Sequence, residues 1–309
     1  MSVFYSTEAI PAFKNPVLTI GSFDGVHQGH QAILASVVAE ARKVGGESIV
    51  LTFEPHPRKI IQPDKPLGLL SSLDSKIEKI SQAGIDHIVV VPFSRDFSMM
   101  GSKEYVEDFL YNTFKPHTII IGYDHHFGHN REGNIAILRA LLPDQVSVIE
   151  IEEQLIKDAH VSSTKIRNAV MEGNMQAVTA MLGRPYQIEA TVVHGNKIGR
   201  TIGYPTANLQ ADYSDILVPG IGIYAVLVHI QGQTFKGMMS IGKRPTVTDD
   251  GNITIEVNIL DFDRDIYGEK LQVIFIAYVR GEEKLDGLEA LKAKIASDEV
   301  RIRSILADY

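Results

Sequence analysis

Two histidines, His27 and His30, follow a short apolar run and a glycine-containing turn. The run, Val17–Ile20, is rich in β-branched residues, long enough for one buried strand and too short for a helix. From His30 onward apolar residues recur at helical spacing, so the imidazoles are predicted to lie where a strand ends and a helix begins. Backbone N–H groups at the start of a helix favour an anion. An imidazole there can donate a hydrogen bond or supply positive charge to a phosphate in a charged transition state.

Two other interpretations of these histidines are open. The segment can be an ordinary strand-to-helix turn, because turn glycines are common. A zinc site is the second alternative, in which His27 and His30 are joined by later histidines. These are His125, His126 and His129. The chain has no cysteine and no spacing typical of a zinc protease, and both observations count against zinc.

The segment 21–30, Gly-Ser-Phe-Asp-Gly-Val-His-Gln-Gly-His, resembles the His-x-Gly-His motif of nucleotidylyltransferases, in the form found in bacterial FAD synthetases. The resemblance implies that the segment binds ATP and that His27 and His30 are catalytic. The further nucleotide-binding residues that it implies are Gly21, Phe23, Asp24 and Gly29.

The composition limits the class of protein. The chain has 309 residues, enough for about two domains, and is 44% hydrophobic, as in ordinary globular proteins. A net charge of −8 argues against a general nucleic-acid binder, which needs a basic surface. There is no apolar run long enough to span a membrane and no signal-peptide pattern at the N-terminus. We therefore expect a cytoplasmic enzyme that acts on small molecules, without nucleic-acid or membrane partners.

The first half of the chain alternates predicted strands and helices. Further strands are predicted at 48–53, 87–91, 118–121 and 146–151, and helices at 75–83, 102–111 (capped by Ser102) and 134–142. This alternation predicts a parallel, doubly wound α/β sheet, whose ligands sit at the carboxyl ends of the strands. His27, His56 and the loop 122–128 all follow strands at that edge, so the order of elements brings them to one crevice.

The same edge carries the flavin-binding residues that the resemblance implies in this half of the chain. They are His56, Pro57, Asp124, His125 and Phe127. Two prolines predict an extended corner around His56. The loop 122–128 departs from the family's Asp-Phe-x-Phe-Gly pattern at His125, whose ring can still stack on a flavin or adenine.

The segment 162–167, Ser-Ser-Thr-Lys-Ile-Arg, closes this half. Ser162 or Ser163 can cap a helix, and its first turns then carry Lys165 and Arg167 beside N–H groups suited to phosphate. A capped surface helix without a ligand is the alternative. The segment resembles the Ser-Ser-Thr-x-x-Arg element that nucleotidylyltransferases place against the ATP phosphates. The resemblance implies nucleotide binding by Ser162, Ser163 and Thr164 and a catalytic role for Arg167.

Near Gly183 the pattern changes from helices to strands. Strands are predicted at 188–194, 222–230, 234–241, 254–260 and 271–279, followed by helices at 285–295 and 299–306. Successive strands with short turns predict an antiparallel β-barrel, which the helices cover. We therefore expect two domains, 1–182 and 183–309.

The segment 195–208 is rich in glycine and ends in Pro-Thr-Ala-Asn. Its glycines allow close approach of a ligand, and its two cations suit phosphate, although a flexible hairpin is the alternative. Pro-Thr-Ala-Asn resembles the motif of riboflavin kinases in which threonine and asparagine oxygens bind ATP with magnesium. The implied nucleotide-binding residues are Gly195, Lys197, Gly199, Arg200, Gly203, Thr206 and Asn208, and Thr206 and Asn208 are the implied Mg²⁺ ligands.

Glu256 lies in a predicted strand, on the face opposite Ile255 and Val257. A solvent-facing carboxylate is the ordinary interpretation. Its context, Glu-Val-Asn-Ile-Leu-Asp-Phe-Asp-Arg-Asp-Ile-Tyr-Gly, resembles the segment that carries the catalytic glutamate of riboflavin kinases. Asn258 stands where that family more often has histidine. The resemblance also implies a flavin or phosphate contact for Arg280.

Taken together, the motifs resemble those of bacterial bifunctional riboflavin kinase/FMN adenylyltransferases over essentially the whole chain. The resemblance implies phosphorylation of riboflavin to FMN by ATP and Mg²⁺ in the barrel, and adenylylation of FMN to FAD in the sheet domain. Two alternatives are a kinase-inactive, flavin-binding regulatory barrel and a nucleotidylyltransferase for a non-flavin phosphate. We expect a monomer or a weak homo-oligomer.

Overall fold

The structure is a computed structural model that describes residues 1–123, 125–151, 161–195, 199, 203–243 and 253–309. Its chain forms two compact units, Met1–Ser163 and Thr164–Tyr309. The helix Met175–Leu182 packs on barrel strands of the second unit. The domain boundary at 182/183 therefore stays a prediction, because the two units divide earlier in the chain.

Six parallel strands form the sheet of the first unit, in the order β1-β4-β3-β2-β5-β6. They are β1 (Ser2–Phe4), β2 (Val17–Ile20), β3 (Ser48–Glu54), β4 (His87–Pro92), β5 (Thr118–Gly122) and β6 (Ser147–Ile151). The predicted parallel, doubly wound sheet is confirmed. The chain runs outward from β2 to β4 and then crosses to β5, so the strand order reverses between β2 and β5. Ligands of such sheets bind outside the carboxyl ends of the strands at that reversal.

Helices cover both faces of this sheet. They are α1 (Gln28–Lys43), α2 (Pro57–Ile61), α3 (Leu73–Gln82), α4 (Arg95–Met99), α5 (Ser102–Glu104), a π-helix (Tyr105–Asn112), a 3₁₀ turn (His129–Arg131) and α6 (Ile135–Leu141). Along β2 the buried side chains alternate, since Leu18 and Ile20 pack into one apolar cluster and Val17 into another. The central strand is thus enclosed from both sides, as its continuous apolar run predicts.

Two local predictions in this unit are wrong. Ser102 does not cap its helix: Gly101 precedes the helix, and the Ser102 N–H and hydroxyl both donate to Glu132 Oε1 at 3.1 Å. The corner after β3 is not extended throughout, because Pro57 begins α2. Proline is tolerated in the first turn of a helix, where its missing N–H would have no intrahelical partner.

The second unit contains a closed antiparallel barrel in the order β10-β11-β8-β7-β12-β9, as predicted. Its strands are β7 (Tyr186–Val193), β8 (Ala207–Ala211), β9 (Gly222–Ile230), β10 (Gln233–Lys243), β11 (Ile253–Ile259) and β12 (Lys270–Arg280). Its helices are α7 (Ser163–Met171, whose first residue belongs to the first unit), α8 (Met175–Leu182) and α9 (Leu288–Ile305). Buried Ile302 and Leu306 lie with barrel residues in one apolar cluster. The two predicted terminal helices are one, because Asp298 continues the helix and binds Arg280 of β12.

Candidate active sites

The turn between β2 and α1 carries the two histidines of the first unit. His27 precedes α1, and its Nδ1 accepts a hydrogen bond from the His30 backbone N–H at 3.3 Å. The two imidazole rings stack, with centroids 3.6 Å apart and an angle of 13° between their planes. Phe23, Gly25 and Val26 all have positive φ, so the chain turns sharply from the strand into the helix. The turn therefore presents the histidines at the start of a helix, as predicted.

The surroundings of His30 favour its neutral form. Burial lowers the pKa of His30 well below the usual value of histidine, and nearby His27 and Lys76 act in the same direction. Its Nδ1 is buried and has no hydrogen-bond partner within the described part of the chain. A neutral imidazole still has one N–H to donate. His30 can thus act as an uncharged hydrogen-bond donor.

The buried side chains of Phe23 and Asp24 stabilise the turn in which they lie. The Phe23 ring is only 2% exposed and lies 5.1 Å from the His30 ring. The buried Asp24 carboxylate accepts the Leu70 N–H at 2.9 Å and the Ser71 N–H at 3.3 Å. The structure gives both side chains a role in shaping the turn, and their predicted nucleotide contact stays a prediction. Gly21 and Gly29 lie at the two ends of the turn, where the backbone of β2 ends and that of α1 begins.

The predicted flavin-binding residues follow β3 and β5. His56 precedes α2, and its Nδ1 accepts the Arg58 N–H at 3.1 Å, while Pro57 is the first residue of that helix. The N–H of His125 donates to the Gly122 carbonyl at 3.0 Å. The Phe127 ring is buried and stacks on Tyr105, with centroids 5.0 Å apart. That ring packs in the core of the unit. Asp124 lies outside the described residues.

Ser163 links the 162–167 segment to the histidine turn. Helix α7 begins at Ser163, and the Ser163 hydroxyl donates to the Asp24 carbonyl at 3.2 Å. Ser162 and Thr164 are exposed, and Arg167 is half-buried one turn further along α7. Their roles toward a nucleotide stay predictions.

Sequence reasoning missed one cation of the first unit, Lys76. It is 5% exposed, and its ammonium donates to the carbonyl oxygens of Ser22 at 3.3 Å and Phe53 at 3.2 Å. Both carbonyls lie at the carboxyl ends of strands. Helical periodicity indicates only the face of α3 on which Lys76 lies. Lys76 shares this face with Ile80, and the face points toward the sheet.

The second unit brings its predicted site residues together across two strands. The Thr206 hydroxyl donates to Glu256 Oε2 at 3.0 Å. In the pairing of β8 with β11, Asn208 lies directly opposite Glu256. The motif Pro-Thr-Ala-Asn and the glutamate are 50 residues apart in sequence, from Thr206 to Glu256. The antiparallel register joins them into one polar cluster.

Glycines of the 195–208 segment permit this cluster. A Cβ at Gly195 would overlap the Asn208 side chain, and a Cβ at Gly199 would overlap the Tyr204 carbonyl and lie 3.3 Å from Thr206 Oγ1. Gly203 has a φ of +87°, which favours glycine. Larger residues at Gly195 or Gly199 would therefore displace the polar side chains. Lys197 and Arg200 lie outside the described residues.

A cleft of about 560 Å³ opens beside Thr206. It is lined by Val192, Pro205, Thr206, Ala207, Val257, Ile259, Phe262, Asp263, Arg264, Asp265, Ile266 and Tyr267. This volume lies in the range of small-molecule sites. The Arg264 guanidinium lies over the Phe262 ring, 4.8 Å from its centroid, so one wall of the cleft combines a cation with an aromatic face.

Two further residues have structural partners. The buried Asn258 side chain donates from Nδ2 to the Pro205 carbonyl at 2.7 Å. Arg280 forms a bidentate pair with Asp298, with its closest contact from Nη2 to Oδ2 at 2.7 Å. Asn258 thus fixes the backbone next to Thr206. The ion pair with Asp298 explains the position of the Arg280 guanidinium. A contact of Arg280 with flavin or phosphate stays a prediction.

The described residues include no group of three or more His, Cys, Asp or Glu side chains placed to hold a metal ion. The zinc alternative therefore has no supporting cluster in this part of the chain. A search of the described helices finds none that is both long and apolar enough to cross a membrane.

Comparisons with known proteins agree with both halves of the molecule. A family model described as FAD synthetase matches residues 10–165, and one described as riboflavin kinase matches residues 182–306. A bifunctional riboflavin kinase/FMN adenylyltransferase from Listeria monocytogenes is 38% identical, covering 95% of this chain and 93% of the relative. One from Escherichia coli K12 is 35% identical, covering 93% and 91%. A crystal structure titled macrolide-efflux protein, from Streptococcus pneumoniae, is 31% identical, covers 97% of this chain and 98% of its own, and has a TM-score of 0.86. The chain thus belongs to the family of bifunctional riboflavin kinase/FMN adenylyltransferases.

Proposed function

We propose that this chain makes FAD from riboflavin in two ATP-dependent steps. The barrel phosphorylates riboflavin to FMN, and the sheet unit adenylylates FMN to FAD. The observation that carries the proposal is the hydrogen bond from Thr206, which lines the barrel cleft, to Glu256, with Asn208 paired opposite Glu256. An intact cluster of this kind also disfavours a kinase-inactive, purely regulatory barrel.

In the kinase step, Glu256 acts as the general base. Its carboxylate accepts the proton of the riboflavin 5′-hydroxyl as that oxygen attacks the γ-phosphorus of ATP, and ADP leaves. The hydrogen bond from Thr206 fixes one carboxylate oxygen, Oε2. The other oxygen, Oε1, is the proposed acceptor of the substrate proton. Asn258 supports this arrangement through the Pro205 carbonyl.

The donor atoms of the cluster fit magnesium. Mg²⁺ prefers hard oxygen ligands, and Thr206 and Asn208 offer a hydroxyl and an amide oxygen. The Thr206 hydroxyl donates its hydrogen bond to Glu256. The lone pairs of the hydroxyl oxygen can therefore face a cation. When bound with ATP, the ion would neutralise charge on the phosphates. Around it, Gly195, Lys197, Gly199, Arg200 and Gly203 are proposed to bind the nucleotide.

In the adenylyl-transfer step, a phosphate oxygen of FMN attacks the α-phosphorus of ATP and pyrophosphate leaves. This reaction needs no protein nucleophile, only alignment and stabilisation of developing charge. We assign His27 and His30 to that stabilisation, with His30 donating from a neutral imidazole. Arg167 is proposed as a further source of positive charge, on the resemblance of the 162–167 segment.

The remaining assignments rest on the family resemblance. Nucleotide contacts in the adenylyl-transfer step are proposed for Gly21, Phe23, Asp24, Gly29, Ser162, Ser163 and Thr164, and flavin contacts for His56, Pro57, Asp124, His125, Phe127 and, in the barrel, Arg280. We further propose that the enzyme works in the cytoplasm, as a monomer or a weak homo-oligomer, with small-molecule substrates and no nucleic-acid partner.

A direct experiment is to incubate the protein with riboflavin, ATP and Mg²⁺ and to separate FMN and FAD by chromatography. Appearance of FMN followed by FAD supports the proposal. Conversion of added FMN to FAD without any FMN from riboflavin would favour the regulatory barrel. No reaction of FMN with ATP would favour a non-flavin substrate.

A further inference from the structure

A buried lysine at the edge of the sheet is not used by the two steps described above. Lys76 lies in α3, on the face that packs toward the sheet, and only 5% of it is exposed. Lysine is almost never buried to this extent without partners, because the charged amino group loses its hydration. The burial of Lys76 therefore needs an explanation, because a lysine on the surface of a helix would ordinarily lie in solvent.

The partners of Lys76 are two backbone carbonyls, one from each of two adjacent strand ends. Ser22 follows β2 and begins the turn that carries the histidines, and Phe53 is the penultimate residue of β3. The ammonium donates to both, at 3.3 and 3.2 Å. It thus ties Ser22, the second residue after β2, to the end of β3.

The charges around Lys76 come from several elements. Asp24 in the turn and Glu54 at the end of β3 favour the charged form of Lys76, while burial lowers the pKa of Lys76 below its usual value. Burial is the main cause that lowers the pKa of His30, and the charges of His27 and Lys76 lower it further. Lys76 is therefore coupled electrostatically to the imidazole that the proposed function assigns to adenylyl transfer.

We propose that Lys76 is a positioning residue of the adenylyl-transfer site, which fixes the histidine turn through the Ser22 and Phe53 carbonyls and supplies a positive charge near His30. The inference rests on the proposed function for the role of His30. It differs from a purely structural role, since a buried support without charge would hold the turn but would leave the protonation of His30 unchanged.

The test uses the full-length protein and reads His30 directly. Ring resonances of ¹⁵N-labelled histidine are followed from pH 5 to 8 without substrate, and the His30 resonance is identified by its loss in His30→Gln. The variants are Lys76→Gln, which keeps a donor but no charge, and Lys76→Arg, which keeps the charge. Lys79→Gln is the matched control, because Lys79 lies one turn further along α3, is half-buried and pairs with Glu78.

In Lys76→Gln we expect the pKa of His30 to rise, since a nearby positive charge that disfavours protonation of the imidazole has been removed. Lys76→Arg should keep the pKa low, and Lys79→Gln should not change it. We also expect kcat for FMN adenylylation to fall at least about tenfold in Lys76→Gln, with kcat for riboflavin phosphorylation retained. An unchanged His30 titration in a folded Lys76→Gln protein would overturn the inference.

If Lys76→Gln does not fold, Lys76→Arg decides. A folded Lys76→Arg protein in which His30 titrates at the usual value of histidine would also overturn the inference. Because the titration is measured without substrates, its outcome is separate from the proposed function. That function fails instead if His30→Ala leaves the conversion of FMN to FAD unchanged.

Discussion

The hydroxyl of Thr206 donates a hydrogen bond to the carboxylate of Glu256, with 3.0 Å between Oγ1 and Oε2. Glu256 lies in β11, and Thr206 immediately precedes β8. The pairing of these two strands also places Asn208 opposite Glu256. Backbone pairing thus brings a carboxylate, a hydroxyl and an amide together, and the hydroxyl belongs to Thr206, which lines the cleft. This is the arrangement on which the proposed kinase chemistry depends.

Removing the Thr206 hydroxyl should impair only the kinase. In Thr206→Val, a branched side chain of similar shape remains, but the hydrogen bond to Glu256 and the proposed magnesium ligand are lost. We expect riboflavin phosphorylation to slow about ten- to a hundredfold, the usual effect of a hydrogen bond to a charged group. Thr206→Ser should restore most of the rate. Equal rates for the Val and wild-type enzymes at saturating riboflavin and ATP would show that the hydroxyl has no such role.

Replacement of His30 should impair only adenylyl transfer. For His30→Ala we expect the conversion of FMN to FAD to slow on the order of a hundred- to a thousandfold, the effect of losing one transition-state donor. His117→Ala is the matched control, because His117 is an exposed histidine of the same unit, bonded to Thr118 at the opposite end of β5. The assignment is contradicted if the two variants lose similar amounts of activity.

Buried His30 should make the stability of the protein depend on pH. Its folded pKa lies below the usual 6.5, so the unfolded chain binds more protons as the pH falls below that value. The free energy of unfolding should therefore decrease as the pH falls from about 6.5 toward the lower folded pKa of His30. Chemical denaturation at several pH values measures this slope. His30→Gln should reduce it, and an equal slope in both proteins would argue against a neutral, buried His30.

The pair of Arg280 and Asp298 should hold the terminal helix on the barrel. Both side chains are largely buried, 15% and 7% exposed, and Asp298 raises the pKa of Arg280. Asp298→Ala leaves a buried guanidinium without its carboxylate, so we expect a loss of about 3 kcal/mol of unfolding free energy. Glu289→Ala on the same helix, whose ion pair is exposed, should cost less than about 1 kcal/mol. Thermal unfolding of the two variants provides the comparison.

The motifs predicted which residues come together in those cases where regular backbone structure alone places the side chains. His27 and His30 are one helical turn apart, so their proximity follows from local structure. Glu256 and Asn208 meet because antiparallel strands pair in a fixed register. In both cases the alternation of strands and helices, or of strands and turns, determined the fold around them.

Lys76 could not be assigned in the same way. A single lysine in an amphipathic helix usually lies in solvent, and its partners here are backbone carbonyls 54 and 23 residues away, which carry no sequence information. The prediction of two terminal helices was wrong for a related reason. Two helices, 285–295 and 299–306, were predicted, but the buried pair with Arg280 stabilises Asp298 within a single helix.

The most direct test of two separate activities compares Glu256→Gln and His30→Ala on both reactions. Glu189→Gln, an exposed glutamate of β7, is the control for the first variant. FMN formed from riboflavin and FAD formed from added FMN are quantified by chromatography with ATP and Mg²⁺. We expect Glu256→Gln to slow FMN formation on the order of a hundred- to ten-thousandfold while FAD formation from FMN continues, and His30→Ala to do the reverse. Wild-type riboflavin phosphorylation by Glu256→Gln, or loss of both activities in either folded variant, would contradict the account.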